Sequence, residues 1–334
     1  MPNLSTNYMG LKLKNPIIAG SSGLTDSLVS LINLEKAGVA AVVLKSIFEE
    51  EIVAEMETNL KKMASEQFLY PETLEYYEDN EEENICIKYL DLIKEAKAHL
   101  NIPVIASINC VSAGYWTYFP KQVELAGADA IELNIFVLPS DFNRDRQTTE
   151  KAYYDIIEKV LSQVKIPVSV KLSYYFSDLA QMLQKFSDTK ISGLVLFNKF
   201  YQPDFDINKL EVTSGNILSS PDDYHIPLRW ISIMSGRVNC SLAASTGVHN
   251  GESAIKQILA GADAVQITST IYQNGFGQVQ KMLGEIQTWM NNKGYERIDD
   301  FIGKMSQKVS DNPAAYERVQ FMRYFRSYKR QLEY

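Results

Sequence analysis

The chain has 334 residues, of which 46% are hydrophobic and 22% charged, enough for one large globular domain with ample core. Its net charge of −8 excludes a general nucleic-acid binder, because phosphate neutralisation needs an excess of Lys and Arg. Three scattered cysteines, Cys86, Cys110 and Cys240, form no CxxC pair, so no metal site is expected and any cofactor is organic.

The chain opens without a basic-then-apolar leader, and apolar runs such as Ala37–Leu44 are far shorter than the roughly 20 residues that span a bilayer. No membrane association is expected, and the predicted location is the cytoplasm. The first predicted strand lies in NPIIAGS (Asn15–Ser21) and ends in the small residues Ala19-Gly20-Ser21, which let a flat ligand approach the backbone.

A phrase then repeats three times: KAGVAAVVLKS (Lys36–Ser46), LAGADAIELNI (Leu125–Ile135) and LAGADAVQITS (Leu259–Ser269). Each reads as a helix stopped by glycine, a turn, and an apolar strand closed by polar residues. NIPVIASIN (Asn101–Asn109) and KIPVSVKLS (Lys165–Ser173) form a second matching pair. With Gly193–Asn198 and Ser241–Thr246 they complete eight strands, near residues 16, 41, 103, 130, 168, 193, 241 and 264. Apolar strands alternating with amphipathic helices predict a parallel sheet, and eight units predict a closed (β/α)8 TIM barrel, with an open doubly wound sheet as the alternative. In the barrel, ligands lie at the C-terminal strand ends.

Those ends carry chemistry. Strand 2 ends in Lys45-Ser46 and strand 5 in Lys171-Leu172-Ser173. A buried lysine needs an anionic partner, and Glu132 on strand 4 is one. Asn134 and Asn198, after strands 4 and 6, offer amide donors and acceptors. Strand 7 runs into Thr246-Gly247 and a helix from about Asn250, and strand 8 into Thr268-Ser269. Backbone amides, hydroxyls and a helix start are the ingredients of a phosphate cradle. A phosphorylated polar heterocycle such as FMN suits this set.

Between strands 2 and 3 lies an acidic insertion, with Glu72, Glu75, Glu78, Asp79, Glu81, Glu82 and Glu83 crowded together. Residues 1–305 are expected to form the barrel, and residues 306–334 a C-terminal helical extension packing on the barrel or on a dimer partner. The extension has an apolar stripe and a basic face of Arg318, Arg323, Arg326, Lys329 and Arg330. Docking of an acidic redox partner is its alternative use.

In order and spacing, NPIIAGSSG, VVLKS, GADAIELN, VSVKLSYYFSDL (Val168–Leu179), Thr246–Gly275 and NKGYERIDDFIGK (Asn292–Lys304) resemble the dihydroorotate dehydrogenases, in particular the soluble class 1 flavoproteins. The resemblance implies a barrel that binds FMN, oxidises a CH–CH bond of a small molecule with hydride passing to flavin N5, and serves pyrimidine biosynthesis if the family substrate is kept. It also implies a cytoplasmic homodimer. By position, Ala19, Gly20 and Ser21 would face the flavin, and Lys45 and Ser46 its ring and ribityl chain. Asn134 and Asn198 would touch flavin or substrate, and Lys171 would stabilise the reduced ring. Thr246-Gly247 and Thr268-Ser269 stand where the family has Gly-Gly and Gly-Thr at the phosphate.

The chain departs from the pattern after strand 4. The family writes Asn-Leu-Ser-Cys-Pro-Asn there with cysteine as base, whereas Val137 or Leu138 falls at that place here. The orotate-binding asparagine segment between strands 2 and 3 is not visible either, and Lys199, Phe200 and Tyr201 follow Asn198 in place of Ser or Thr. Ser140, Asp141, Cys110 after strand 3, and Tyr174 and Tyr175 after strand 5 are the candidate replacement proton acceptors. Two other functions stand beside the dehydrogenase. One is a flavin-binding electron-transfer or accessory subunit without dihydroorotate turnover; the other is a non-flavin phosphate-binding lyase using Lys171 or Lys45 as a Schiff base.

Overall fold

The computed structural model describes residues 1–52, 85–110 and 118–317. Its eight barrel strands are β1 (Ile17–Ala19), β2 (Ala41–Val43), β3 (Val104–Cys110), β4 (Ala130–Ile135), β5 (Val168–Leu172), β6 (Gly193–Leu196), β7 (Ser241–Ser245) and β8 (Ala264–Ile267). All neighbours pair in parallel, and β8 pairs with β1 through Val265 and Ile17, so the sheet closes and the open alternative is ruled out. A short strand, Ile47–Phe48, prolongs the line of β2 along β3.

Among the described residues, seven helices cover the barrel: α1 (Leu28–Ala37), α2 (Ile85–His99), α3 (Phe119–Leu125), α4 (Arg146–Leu161), α5 (Leu179–Ser187), α6 (His225–Met234) and α7 (Gly251–Ala260). After β8 come a short helix, α8 (Ser269–Asn274), and a long one, α9 (Gly277–Lys293). The strands are apolar on both sides because each is buried twice, outward against helix residues such as Leu34, Ile93, Ile157 and Ile258, and inward against one another. In the three repeats the helix stops where expected, with Gly38, Gly127 and Gly261 at φ of 106°, 100° and 119°, a region side-chain-bearing residues avoid.

The lower bore of the barrel is apolar. A hairpin, Thr6–Tyr8 with Leu11–Leu13, inserts Tyr8, Met9 and Leu13 against Ile18, Ile105, Val195 and Ala243. Above this plug the bore turns polar, with Ser107, Glu132, Ser169, Lys171 and Gln266 all buried. Among the described residues, two antiparallel hairpins stand outside the eight-strand repeat. The second, Pro203–Asp206 with Glu211–Ser214, rises after β6 and exposes Phe205 and Val212.

The acidic run Glu72–Glu83 and the basic face from Arg318 onward lie outside the described residues. The described start of the extension folds back on the barrel. Lys308 Nζ donates to the Gly236 carbonyl at 2.7 Å beyond α6, and Tyr316 donates to the Met305 carbonyl at 2.8 Å.

The repeated Gly-Ala-Asp phrase has a structural use at the base of the barrel. The Asp129 carboxylate accepts the Val104 amide at 2.7 Å, and the Asp263 carboxylate accepts the Leu242 amide at 2.8 Å, so each aspartate ties its own strand to the preceding one. Asp129 also binds Lys97, whereas among the described residues no ion pair reaches Asp263. Burial pushes Asp263 up to about 6, against the opposing pull of the Leu242 amide. Since the folded value exceeds the unfolded one, this contribution to stability is fully present below about pH 4 and lost as pH rises through about 6. Asp263→Asn keeps an oxygen for the amide and removes the buried charge. It is expected to raise stability at pH 8 by about 1–3 kcal/mol and to change it little at pH 4. Urea denaturation at the two pH values measures this.

Candidate active site

The C-terminal ends of β5 to β8, with the turn after β1, enclose a cavity of about 500 Å³. Ser21, Lys171, Asn198, Thr246, Gly247, Thr268 and Ser269 all line it, so seven of the predicted positions converge. Ala19 is buried in β1, and the Gly20 amide donates to the Ile267 carbonyl at 3.0 Å. A Cβ on Gly20 would lie 2.8 Å from Thr268 Oγ1, so a larger residue in this approach of β1 to β8 requires the Thr268 hydroxyl to shift.

Lys171 is 7% exposed and reaches across the bore. Its Nζ donates to Gln266 Oε1 at 3.0 Å and lies 3.6 Å from Glu132 Oε1, while Gln266 Nε2 donates to Glu132 Oε2. Glu132, 1% exposed, is thereby neutralised through one direct ion pair and one bridging amide. Such a group is retained only when paired and hydrogen-bonded, since an isolated buried charge is prohibitive. The expected Lys171–Glu132 pairing is present, and Gln266 is the partner that sequence reasoning missed. A signal for it exists: aligning the repeats puts Gln266 at the position of Glu132, one polar residue inside each apolar strand.

Asn134 sits beside Lys171 in register, and its Oδ1 accepts from Asn198 Nδ2 at 3.1 Å. The two amides therefore form one unit at the rim of the cavity. Ser46 does not line the cavity. It joins Ser21 Oγ at 3.1 Å and Ser107 Oγ at 2.7 Å, making a row of hydroxyls across the ends of β1, β2 and β3. Lys45 is exposed, with its backbone amide bound to the Thr25 carbonyl, and the structure does not bring it into the cavity wall.

At the opposite end, Thr246 and Gly247 both have positive φ, 77° and 79°. Thr246 tolerates this beside a bond from Oγ1 to the Phe197 carbonyl at 2.9 Å. Gly247 cannot be replaced freely, because a Cβ there would lie 2.1 Å from the Tyr224 backbone nitrogen. The helix start after β7 differs from expectation. The Asn250 side chain caps the Ser253 amide at 2.8 Å, and a Glu285 carboxylate oxygen takes the Gly251 amide at 2.6 Å. These donors are spent, and a carboxylate stands where an anion would come. The polar groups facing the cavity are instead those of Thr246-Gly247, Thr268-Ser269 and Ser219, the last on the excursion between β6 and α6. Nothing in the sequence of that excursion marks Ser219.

Lys199 also lines the cavity and pairs with Asp223 at 2.9 Å. Burial pushes Asp223 upward, but Lys199 and the Ser220 amide outweigh it and hold the carboxyl below its usual range.

The loop after β4 brings no proton acceptor to this place. Phe136 stacks on Phe200 with ring centres 4.8 Å apart, and Tyr174 and Tyr175 close around Phe200 at 5.9 and 5.4 Å. The Val137 amide donates to Tyr153 Oη at 3.2 Å and its side chain packs on the core, while Leu138 is half exposed. Ser140 and Asp141 are exposed, and Asp141 is engaged by the Asn143 amide. Cys110 is fully buried, and burial pushes its thiol far above the ordinary value, so it is a packing residue. Burial likewise raises Tyr174. Among the described residues no group of three or more His, Cys, Asp or Glu side chains is placed to hold a metal ion, and no helix is long and apolar enough to cross a membrane.

Residues 3–290 match the sequence profile of the family described as dihydroorotate dehydrogenase. The chain is 28% identical over 314 residues to the dihydroorotate dehydrogenase B (NAD(+)) catalytic subunit of Thermoplasma volcanium, covering 91% of this chain and 98% of that protein. The protein of the same name from Methanocaldococcus jannaschii is 25% identical over 317 residues, covering 90% of this chain and 97% of that one. In fold, the structure resembles the solved structure of DHODH in complex with ferulenol from Eimeria tenella, with a TM-score of 0.64, 16% identity, and coverage of 91% and 89%.

Proposed function

Because the chain belongs to the dihydroorotate dehydrogenase family, we propose that its cavity holds FMN and that the protein is a flavin-dependent oxidoreductase acting on a CH–CH bond of a small molecule. The observation that carries this reading is one cavity with a buried, paired cation on one side and a turn of positive-φ backbone, hydroxyls and amides on the other. Its volume, about 500 Å³, lies in the range of roughly 300–1,000 Å³ that ligand sites occupy. The chemistry of the lining fits the two ends of a flavin mononucleotide.

Ala19, Gly20 and Ser21 would lie along the ring, and Ser46 near the ribityl hydroxyls, with Lys45 at the outer edge. Thr246, Gly247, Thr268 and Ser269 would hold the phosphate. When bound, FMN supplies a hydride acceptor at N5. Lys171 would set its ammonium near a reduced ring, where it would stabilise the ring's negative charge, and Gln266 and Glu132 fix the direction of that ammonium. Asn134 and Asn198, already bonded to each other, orient whatever planar polar group meets them.

The Phe136–Phe200 stack and the inward Val137 favour a second reading, a flavoprotein that passes electrons without dihydroorotate turnover. The lyase alternative gains nothing from Lys171, which is committed to Gln266 and Glu132. A cytoplasmic homodimer and a protein redox partner belong to the proposal, the latter because relatives are named as catalytic subunits of an NAD(+)-type enzyme.

Purified protein is expected to be yellow, with equimolar FMN, and to bleach with dithionite; a colourless protein that takes up no FMN would sink the proposal. Anaerobic mixing with dihydroorotate separates the two readings. Without a positioned base, bleaching is expected to be slower than in a base-equipped relative by about 10²–10⁴. Full-speed bleaching would restore the family reaction, and no bleaching at all would establish the electron-transfer reading. Light scattering measures the dimer.

A further inference from the structure

Behind Ser219, which lines the cavity, lies a buried imidazole that the flavin reading leaves without a role. His249 is 7% exposed, on the turn between β7 and α7, and its Nε2 meets Ser219 Oγ at 3.0 Å. Ser219 is 4% exposed and lines the cavity, and its amide donates to Ser269 Oγ at 2.9 Å. The residue is clamped from several elements. Its amide donates to Ser253 Oγ of α7 at 3.2 Å, and its carbonyl accepts from Thr270 Oγ1 of α8 at 3.0 Å and Gln278 Nε2 of α9 at 2.7 Å. These bonds fix the backbone of His249, and its ring meets the Ser219 hydroxyl on the cavity side, with the Gln273 side chain and the Ser219 backbone also hydrogen-bonding to it.

We propose that His249 and Ser219 form a proton-coupled recognition element for a phosphate monoester, so that a dianionic phosphate entering beside Ser219 and Ser269 is accompanied by a proton taken up on His249. The proposal rests on the reading of the cavity as an FMN site and deepens it.

A hydroxyl has one hydrogen to donate. With the neutral ring carrying its proton on Nδ1, His249 Nε2 accepts that hydrogen and Ser219 has none for a ligand. With the ring protonated, Nε2–H donates to Ser219 Oγ and the hydroxyl hydrogen turns to the phosphate, so hydrogen bonds change hands and the one added proton comes from solvent. Burial pushes His249 down from its ordinary value, which leaves it neutral in the free protein at neutral pH. A dianion nearby reverses that preference, because an opposite charge favours the charged form.

The other groups around the ring do not substitute for the ligand. Asp223, on the excursion before α6, is the carboxylate that acts on His249, and it is already paired with Lys199. Gln273 of α8 is neutral. Glu285 of α9 takes the Gly251 amide, and Thr270, Gln278 and Ser253 bind backbone atoms of His249.

The test titrates flavin-free protein with FMN, and separately with riboflavin, from pH 5.5 to 8.5, by calorimetry in two buffers of different ionisation enthalpy. Wild-type affinity for FMN is expected to fall as pH rises, approaching about tenfold per pH unit, with net proton uptake. The phosphate's own conversion to a dianion near pH 6 pulls the other way. Riboflavin, lacking the phosphate, is expected to show no slope. His249→Gln keeps a donor for Ser219 but does not titrate, so its FMN affinity is expected to be flat in pH. Ser219→Ala, which keeps the histidine and removes the relay, is expected to lose the slope as well and serves if His249→Gln does not fold. A flat wild-type profile, the same slope with riboflavin, or a slope retained in either variant overturns the proposal while leaving the FMN reading intact. Failure to bind both flavins at every pH overturns the FMN reading and this proposal with it.

Discussion

Lys171→Met is expected to lower stability by about 3–5 kcal/mol, the cost of stranding a buried carboxylate without its cation. Glu132 is 1% exposed, and its Oε1 has no hydrogen-bond partner, only the Lys171 ammonium at 3.6 Å. The amide of Gln266 spans both groups and replaces neither charge. If that is the right account, the double variant Lys171→Met, Glu132→Gln recovers most of the loss, because it removes both charges together. Denaturant unfolding of the single and double variants forms the cycle, and equal losses in the two would show that the ion pair is not the cause. The double variant also isolates chemistry from folding: under the proposed FMN reading, flavin reduction in it is expected to slow by about 10²–10³, the usual worth of one positioned electrostatic group.

Gly247→Ala is the second large expected effect. At φ 79°, a side chain costs about 1–2 kcal/mol in backbone energy alone. The added carbon would meet the Tyr224 nitrogen at 2.1 Å and the Asp223 carbonyl carbon at 2.5 Å, so overpacking adds roughly 1–3 kcal/mol. The total expected loss is about 2–5 kcal/mol. Movement of the 223–224 backbone would also disturb the Asp223–Lys199 pair at the cavity wall. The neighbouring change Thr246→Gly provides the contrast. It relieves a β-branched residue at φ 77° and forfeits one hydrogen bond to Phe197, two effects of opposite sign and similar size, so a change within about 1 kcal/mol is expected. Parallel melts of the two variants, with FMN affinity measured alongside, check both.

The barrel was legible because its strands are buried on both sides, and double burial writes continuous apolar runs of fixed length that alternate with helices. The repeated Gly-Ala-Asp phrase helped further, since glycine ends the helix and aspartate ties the strand. The two hairpins were not legible. Thr6–Leu13 mixes polar and apolar residues in a short span, and Pro203–Ser214 is largely exposed, so neither has the core-facing periodicity that reveals a strand. Within the site, residues at strand ends could be placed because the fold fixes where strand ends go. Lys171, Asn198, Thr246, Gly247, Thr268 and Ser269 converge for that reason. Ser219 comes from the excursion after β6, whose path depends on packing against α8 rather than on any periodic signal. Lys45 shows the limit of position alone. It stands at the end of its strand as Asn134 does, yet it points to solvent.

The meeting of Glu132 with Gln266 has a mechanical consequence. β4 and β8 lie four strands apart in a ring of eight, on opposite sides of the bore, so the Glu132–Gln266–Lys171 bridge is a cross-brace spanning its diameter. A hoop braced in this way resists flattening, and its rim keeps one width whether or not a ligand rests on it. The same two copies of the repeated phrase that anchor the brace carry Asn134 on one side of the rim and Thr268 on the other. The spacing between the Asn134 side and the Thr268 side of the rim is therefore set by the barrel itself.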